Sequence, residues 1–165
     1  MIIREIQPTD NEAIKKVIQR SLEKLGLNVP GTAYFDPQLS DLYSYYANLK
    51  HAKYWIVEME NTVVGGIGIA PFDKEHTICE LQKLYLDETA KGLGLGKKLV
   101  EIALSFAEEH YEQCYLETMH ELKTACILYE KHGFELLNSP LSGSEHSTMD
   151  AWYIKETKGK RLTKK

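Results

Sequence analysis

Glycine occupies every second position of Gly92-Leu93-Gly94-Leu95-Gly96, between Lys91 and the pair Lys97-Lys98. An apolar extended stretch, 78–86, leads into this segment, and the stripe Leu95, Leu99, Ile102, Phe106 and Ala107 leaves it on one face of a helix. No other stretch limits the fold so tightly. A helix start leaves backbone N–H groups without intrahelical partners, and glycine lets a ligand come close to them. The helix dipole adds partial positive charge there, and the lysines add full charges. The chemistry implied is recognition of a phosphate or pyrophosphate at a strand–loop–helix junction.

Three loop types compete for the stretch. A G-x-x-x-x-G-K-[ST] loop fails, because Lys91 stands at its first glycine and Lys98 where Ser or Thr must bind magnesium. A dinucleotide-binding G-x-G-x-x-G loop is weakened, because Lys97 and Leu99 occupy its last glycine position, although Glu117 stands at the spacing of a ribose-binding acid. The third pattern is [QR]-x-x-G-x-[GA] after a strand, matched by Gly94 and Gly96 with Lys91 in the basic position. That pattern is the acyl-CoA pyrophosphate loop of the GNAT N-acetyltransferase superfamily. CELQKLYLDETAKGLGLGKKLVEIALSFAEE resembles this superfamily's fourth strand, loop and third helix. TACILYEKHGFELL resembles its closing helix and strand, with Ala125, Tyr129, Gly133 and Phe134 in the A-x-x-x-Y-x-x-x-G-F spacing. The resembling segments cover roughly a third of the chain, in the right order. Two positions depart from the pattern: Lys91 keeps the charge of the usual Arg without its planar donors, and Leu122 replaces a frequent Asn.

At 165 residues, with 43% hydrophobic and 27% charged residues, the chain has the length and composition of one ordinary globular domain. It has no apolar run of membrane-spanning length and no leader-like start, and its three cysteines (Cys79, Cys114, Cys126) are not spaced as a metal or redox pair. A cytoplasmic, reduced protein is expected, with no membrane association. The net charge of −4 divides into +5 on a basic tail, 155–165, and −9 on the body. The tail is expected to be disordered, and the single domain to span 1–154. An acidic body argues against nucleic acid and favours a cationic, amine-bearing partner.

Hydrophobic periodicity predicts strands at 2–7, 53–59, 62–70, 78–86, 114–119, 134–137 and 149–154. It predicts helices at 9–25 (with Thr9 and Glu12 as a capping box), 38–48, 94–111 and 122–132. The order β-α-α-β-β-β-α-β-α-β-β implies an α/β or α+β fold. With the resemblance, the expectation is a central mixed, mostly antiparallel sheet of about seven strands flanked by about four helices. Glycines 65, 66 and 68 leave part of one strand bare, where a backbone or ligand comes close.

The resemblance implies acetyl-CoA as co-substrate. Leu84, Tyr85, Leu86, Lys91, Gly92, Leu93, Gly94, Leu95, Gly96, Lys97, Ala125 and Tyr129 are the positions expected to hold it. It also implies direct attack by an acceptor amine, with Tyr129 as acid toward the departing thiolate. Glu80, which by strand alternation shares a face with Gln82 and Leu84, is the first candidate base. Glu117 and His146 are the others. Tyr34, Phe35, Tyr46, Gln82 and Glu117 are expected on the acceptor side, though such aromatics more often only pack a core. No histidine spacing suggests a metal. Two functions stay open: an acyl-CoA-dependent N-acetyltransferase acting on a primary amine, or a non-catalytic acyl-CoA-binding or sensing module, either a monomer or a homodimer.

Overall fold

The computed structural model describes residues 1–157. Seven strands form a single sheet in the order β1-β2-β3-β4-β5-β7-β6. They are β1 (Ile2–Glu5), β2 (Lys53–Met59), β3 (Thr62–Pro71), β4 (Ile78–Leu86), β5 (Gln113–Thr118), β6 (Glu135–Leu137) and β7 (Ala151–Glu156). The four α-helices are α1 (Asn11–Lys24), α2 (Leu42–Ala47), α3 (Leu95–His110) and α4 (Lys123–Lys131). Only β4 and β5 run parallel, and every other neighbouring pair is antiparallel. The expected mixed, mostly antiparallel α/β architecture and element order are therefore present.

The sheet buries both faces. On one, α3 and α4 cover a core that includes Val57, Ile67, Leu81, Leu99, Ala103, Leu116 and Tyr153. On the other, Ile14, Val17, Ile18 and Leu22 of α1 pack with Leu39, Leu42, Tyr46 and Tyr54. The β2–β3 hairpin turns at Glu60-Asn61, both left-handed (φ 49° and 63°), as a two-residue turn between twisted strands requires.

Several boundaries depart from the periodicity, each for a local reason. No Thr9–Glu12 box forms. Asp10 instead accepts from the Gln7 N–H (2.8 Å) and from both terminal nitrogens of Arg4 (2.8 and 3.0 Å), and the N-cap of α1 moves one residue on from Thr9, to Asp10. Burial alone would raise the Asp10 carboxyl, but the Arg4 hydrogen bonds, the Gln7 N–H and the Arg4 charge together outweigh it and hold it low. The second predicted helix splits into a 3₁₀ turn, Pro37–Asp41, and α2, because the Asp41 side chain accepts from Ser44 N–H and restarts the helix there. The last strand runs to Glu156, pairing Lys155 with Cys114 and Glu156 with Gln113, so the tail does not begin at 155. The expectation of disorder for 158–165 falls outside the described residues.

Two features of β4 create the site. First, β4 pairs with β5 only from Ile78 to Glu80, so the two strands part beyond that point. Second, β4 bulges: Gly66 faces Tyr85 and Gly68 faces Gln82, with Lys83 in the left-handed region (φ 51°). The bare glycines of β3 are approached in two ways: at Gly65 a backbone comes close, a Cβ there standing 2.5 Å from the Tyr85 carbonyl oxygen, and at Gly66 and Gly68 tyrosine rings do. A Cβ at Gly66 would overlap the Tyr54 ring, and one at Gly68 would meet both Tyr46 and Tyr54. The tyrosines lie across the strand, and the Tyr54 hydroxyl donates to the Lys83 carbonyl at 2.8 Å.

Gly68→Ala is expected to destabilise the fold by about 1–3 kcal/mol, because neither buried ring can yield without off-rotamer strain. Urea denaturation measures it.

Candidate functional site

A cavity of about 550 Å³ opens where β4 and β5 part. Its lining includes Leu84, Tyr85 and Leu86 of β4, Lys91, Gly92, Leu95 and Gly96 of the glycine loop and α3, and Ala125 and Tyr129 of α4. Nine of the expected cofactor positions therefore lie on one cavity. Gly94 does not line it. With φ 75° it caps α3 from the left-handed region, which turns the chain so that the first turn of the helix faces the opening. Leu93 is exposed, and Lys97 lies outside the lining.

Sequence reasoning missed the opposite wall. Arg20, Ser21, Lys24 and Leu25, from the end of α1, complete the cavity, together with Leu122, Thr124 and Leu128. Arg20 sits 3.6 Å from Asp87, and Lys24 and Lys91 sit 3.7 and 3.1 Å from Glu88. These exposed cations can swing to a polyanion at little cost, since surface pairs contribute only about 0–1 kcal/mol. A negatively charged group can thus meet three exposed cations and a helix N-terminus, beside the Asp87 and Glu88 carboxylates that also line the cavity. Farther in, it meets the apolar Leu84, Leu86, Ala125 and Leu128. The residues fit a long ligand with a pyrophosphate at one end and an uncharged arm. Tyr129 is buried in the cavity wall, and burial pushes its phenol well above the ordinary value, so it keeps its proton at neutral pH.

A second pocket, of about 60 Å³, is lined by Thr32, Ala33, Glu80, Leu81, Gln82, Lys83, Tyr85, Glu117, His146 and Met149. Tyr85 lines both spaces. The bulge corrects the expected alternation here. Leu84 packs with the α3-side core, whereas Glu80, Gln82 and Lys83 line the small pocket on the other side. The extra residue shifts the two-residue period, so Gln82 and Lys83 in succession face the same space.

Side-chain hydrogen bonds tie this pocket together. The Tyr46 hydroxyl donates to Gln82 Oε1 (2.7 Å), and Gln82 Nε2 donates to Glu80 Oε1 (2.9 Å). Burial, opposed by the Gln82 hydrogen bond and reinforced by the Glu117 charge, pushes the Glu80 carboxyl up to about 7. Lys83, with 2% of its side chain exposed, places Nζ 2.6 Å from Asp36 Oδ2. His146 Nε2 lies 3.1 and 3.2 Å from the two Asp36 oxygens. Burial opposes ionisation of Asp36, but the His146 hydrogen bond and the Lys83 charge outweigh it and hold the carboxyl low. The same Asp36 hydrogen bond raises His146, against the opposing effect of burial.

The other expected acceptor residues are spread more widely. Tyr46 acts only through Gln82. Tyr34 donates to Glu23 at the surface, and Phe35 is exposed, and neither lines either of these two pockets. Asp36, beside them, is the residue the sequence did not single out. Its partners are 47 and 110 positions away, beyond any local pattern. The three cysteines are free and buried. No described helix is long and apolar enough to cross a membrane.

A sheet split after one parallel pair, a glycine-loop helix start facing the split, and a tyrosine in its wall define an acyl-CoA-dependent acetyltransferase. The model of the Acetyltransferase (GNAT) family matches residues 14–134, and the chain belongs to that family. It is 41% identical to an N-acetyltransferase of Escherichia coli (strain K12), YjgM, over 158 residues that make up 94% of each chain. Human N-acetyltransferase 8 is 32% identical over 115 residues, 64% of this chain and 50% of that protein. Among solved structures, a GNAT-family acetyltransferase from Staphylococcus aureus Mu50 superposes with a TM-score of 0.77 at 22% identity, covering 95% of this chain and 99% of the other. A phosphinothricin acetyltransferase from Sinorhizobium meliloti, solved in complex with AcCoA, gives 0.75 at 18% identity, with 99% and 91% covered. At such identities the structures establish the shared fold.

Replacing Lys83 with Met should raise the pKa of His146 further, because the Lys83 charge now opposes protonation of its neighbour. An NMR titration of the imidazole reads the shift. The same change should cost about 3 kcal/mol of stability, since Asp36 stays buried with one partner fewer.

Proposed function

We propose that this chain transfers the acetyl group of acetyl-CoA to a primary amine by direct attack within a ternary complex. In this reading Glu80 takes the amine's proton and Tyr129 protonates the leaving thiolate. One observation carries it: Tyr85 lines both a cavity suited to acyl-CoA and a small pocket holding a carboxyl near neutrality. A thioester in the large cavity and an amine in the small one would meet across the β4 bulge.

The chain's own groups supply the chemistry. Arg20, Lys24, Lys91 and the α3 N-terminus hold the pyrophosphate. The backbone of Leu84 and Leu86 pairs with the pantetheine amides as an added strand would, and an N–H at the bulge faces the oxyanion that forms on the thioester carbonyl. Glu80, ionised above about 7, accepts a proton from the ammonium and leaves a neutral amine able to attack. The nitrogen–carbon bond forms as the carbonyl π bond shifts to oxygen. Collapse re-forms the carbonyl and expels the thiolate. Tyr129, kept protonated by burial, gives it a proton. The nitrogen sheds its second proton to solvent, from which the phenolate is reprotonated. Holding the two reactants in adjoining pockets supplies much of the acceleration.

The sign of the pH dependence follows. Protonated Glu80 cannot accept, so turnover should fall as pH drops through about 7. Glu80→Gln should remove that limb and lower kcat by about 10²–10⁴-fold, and a variant that keeps the limb would assign the base elsewhere.

Acetyl-CoA at 100 times its Kd should stabilise the protein by about 2.7 kcal/mol, read as a rise in Tm. Gly96→Glu should abolish the rise, because the new side chain would project beside Leu128 and Leu86 into the cavity. A retained rise with no CoA released to any amine in a panel would favour the non-catalytic binding module.

A further inference from the structure

The charged end of the large cavity contains anions of its own. Asp87 and Glu88 line it together with Arg20, Lys24 and Lys91. A carboxylate beside a phosphate site repels the ligand that the cations attract, so its presence needs a reason. Asp87 has one in the fold. Its N–H donates to the Val64 carbonyl at 2.7 Å, it stands at the N-cap of the 3₁₀ turn Glu88–Ala90, and Oδ2 accepts from the Thr89 hydroxyl at 2.9 Å. Glu88 has no such duty. Among the described residues its carboxylate pairs only with Lys91 and Lys24.

These ion pairs cross between two walls of the cavity. Oε2 of Glu88 is shared: Lys91 Nζ, from the glycine loop, stands 3.1 Å away, and Lys24 Nζ, from the last turn of α1, stands 3.7 Å away. Asp87 Oδ1 lies 3.6 Å from Arg20, one turn earlier on α1. Two adjacent carboxylates therefore tie the end of α1 to the segment that leads into α3. One carboxylate oxygen between two lysines also takes the place that a phosphate oxygen would take there.

The contacts are built to be exchanged. The side chains of Lys24, Lys91 and Glu88 are 61%, 57% and 55% exposed, so water screens the pairs and receives whichever group is displaced. A monoanion gains little by the exchange, since it only replaces one carboxylate with another single charge. A pyrophosphate brings two charges and several acceptor oxygens to both lysines and to the α3 N-terminus together, so it wins the exchange.

The geometry points to Glu88 as an internal stand-in for the pyrophosphate, holding Lys24 and Lys91 in the free protein until an acyl-CoA displaces it. The inference rests on the large cavity being the acyl-CoA site, and it adds the contact that sets which anions that site admits. On binding, both lysines turn from Glu88 Oε2 to the ligand, and the carboxylate turns to solvent. The affinity read in solution is then the difference between two sets of ion pairs. An acyl-pantetheine, which carries no phosphate, leaves the latch closed. The opposite role, in which Glu88 orders the lysines for the ligand, predicts the opposite sign on its removal.

The test titrates the full chain and its Glu88→Gln variant with acetyl-CoA, inorganic pyrophosphate and acetyl-pantetheine. At low salt the variant should bind acetyl-CoA and pyrophosphate about three- to tenfold more tightly and acetyl-pantetheine within about twofold of the parent. At high salt, where the Debye length falls to about 3 Å, the gap should close to within about twofold. In a Lys24→Gln/Lys91→Gln background, removing Glu88 should gain less than about twofold, because no lysine is left to release. Urea denaturation of each ligand-free variant checks the fold. The proposal is overturned if Glu88→Gln leaves the Kd for pyrophosphate unchanged or weakens it. It is also overturned if the gain persists without the lysines, which would be plain repulsion, or extends equally to acetyl-pantetheine. Failure of the cavity reading looks different: acetyl-CoA binds neither protein, or Gly96→Glu leaves its Kd unchanged, while the pyrophosphate titration still decides the latch.

Discussion

The bulge at Lys83 is the constraint on which both pockets depend. A left-handed lysine inside a strand is an unfavourable backbone state, and such states persist only where their surroundings hold them. Here the Tyr54 hydroxyl holds the Lys83 carbonyl, and Asp36 holds its ammonium. Glycines 66 and 68 exist in β3 to let the tyrosine rings lie flat against it. Without the bulge, Leu84 would face the same side as Glu80 and Gln82, and the strand would offer one continuous surface. With it, the first part of β4 faces the small pocket, and Leu84 and Leu86 turn to the large cavity.

Buried charge gives the small pocket its character. Four ionisable groups, Asp36, Lys83, Glu117 and His146, are mostly out of water and are joined by Glu80. Burying charge is costly unless each group finds a partner, and Asp36 is the hub that meets the Lys83 ammonium and the His146 imidazole at once. The same contacts pin three distant segments: the loop after α1, the bulge, and the loop before β7. Thr148 adds to this, donating through Oγ1 to Pro30 and through its N–H to Gly31. The wall of the small pocket is therefore a tertiary assembly, built from chain segments more than a hundred residues apart.

The large cavity was far more legible than the small pocket. Gly92, Leu95, Gly96, Ala125 and Tyr129 belong to contiguous motifs whose spacing follows from a helix start and a helix face, so they can be found one segment at a time. Arg20 and Lys24 complete the same cavity yet look like solvent-facing residues of an amphipathic helix. Their role arises only when α1 docks beside the end of β4. Tyr34 and Phe35 drew attention as aromatics in a loop, but the residue that enters the pocket network is Asp36. A single carboxylate in a loop carries no local signal until its partners are in place.

From its sequence alone the chain determined its element order, its mixed sheet, the glycine loop and the tyrosine of the closing helix, because these rest on short-range periodicity and backbone freedom. Tertiary structure decided where β4 and β5 part, which side of β4 each residue faces, and which charges meet. Those outcomes depend on a one-residue slip in strand register and on contacts between distant segments, and neither leaves a local pattern in the chain.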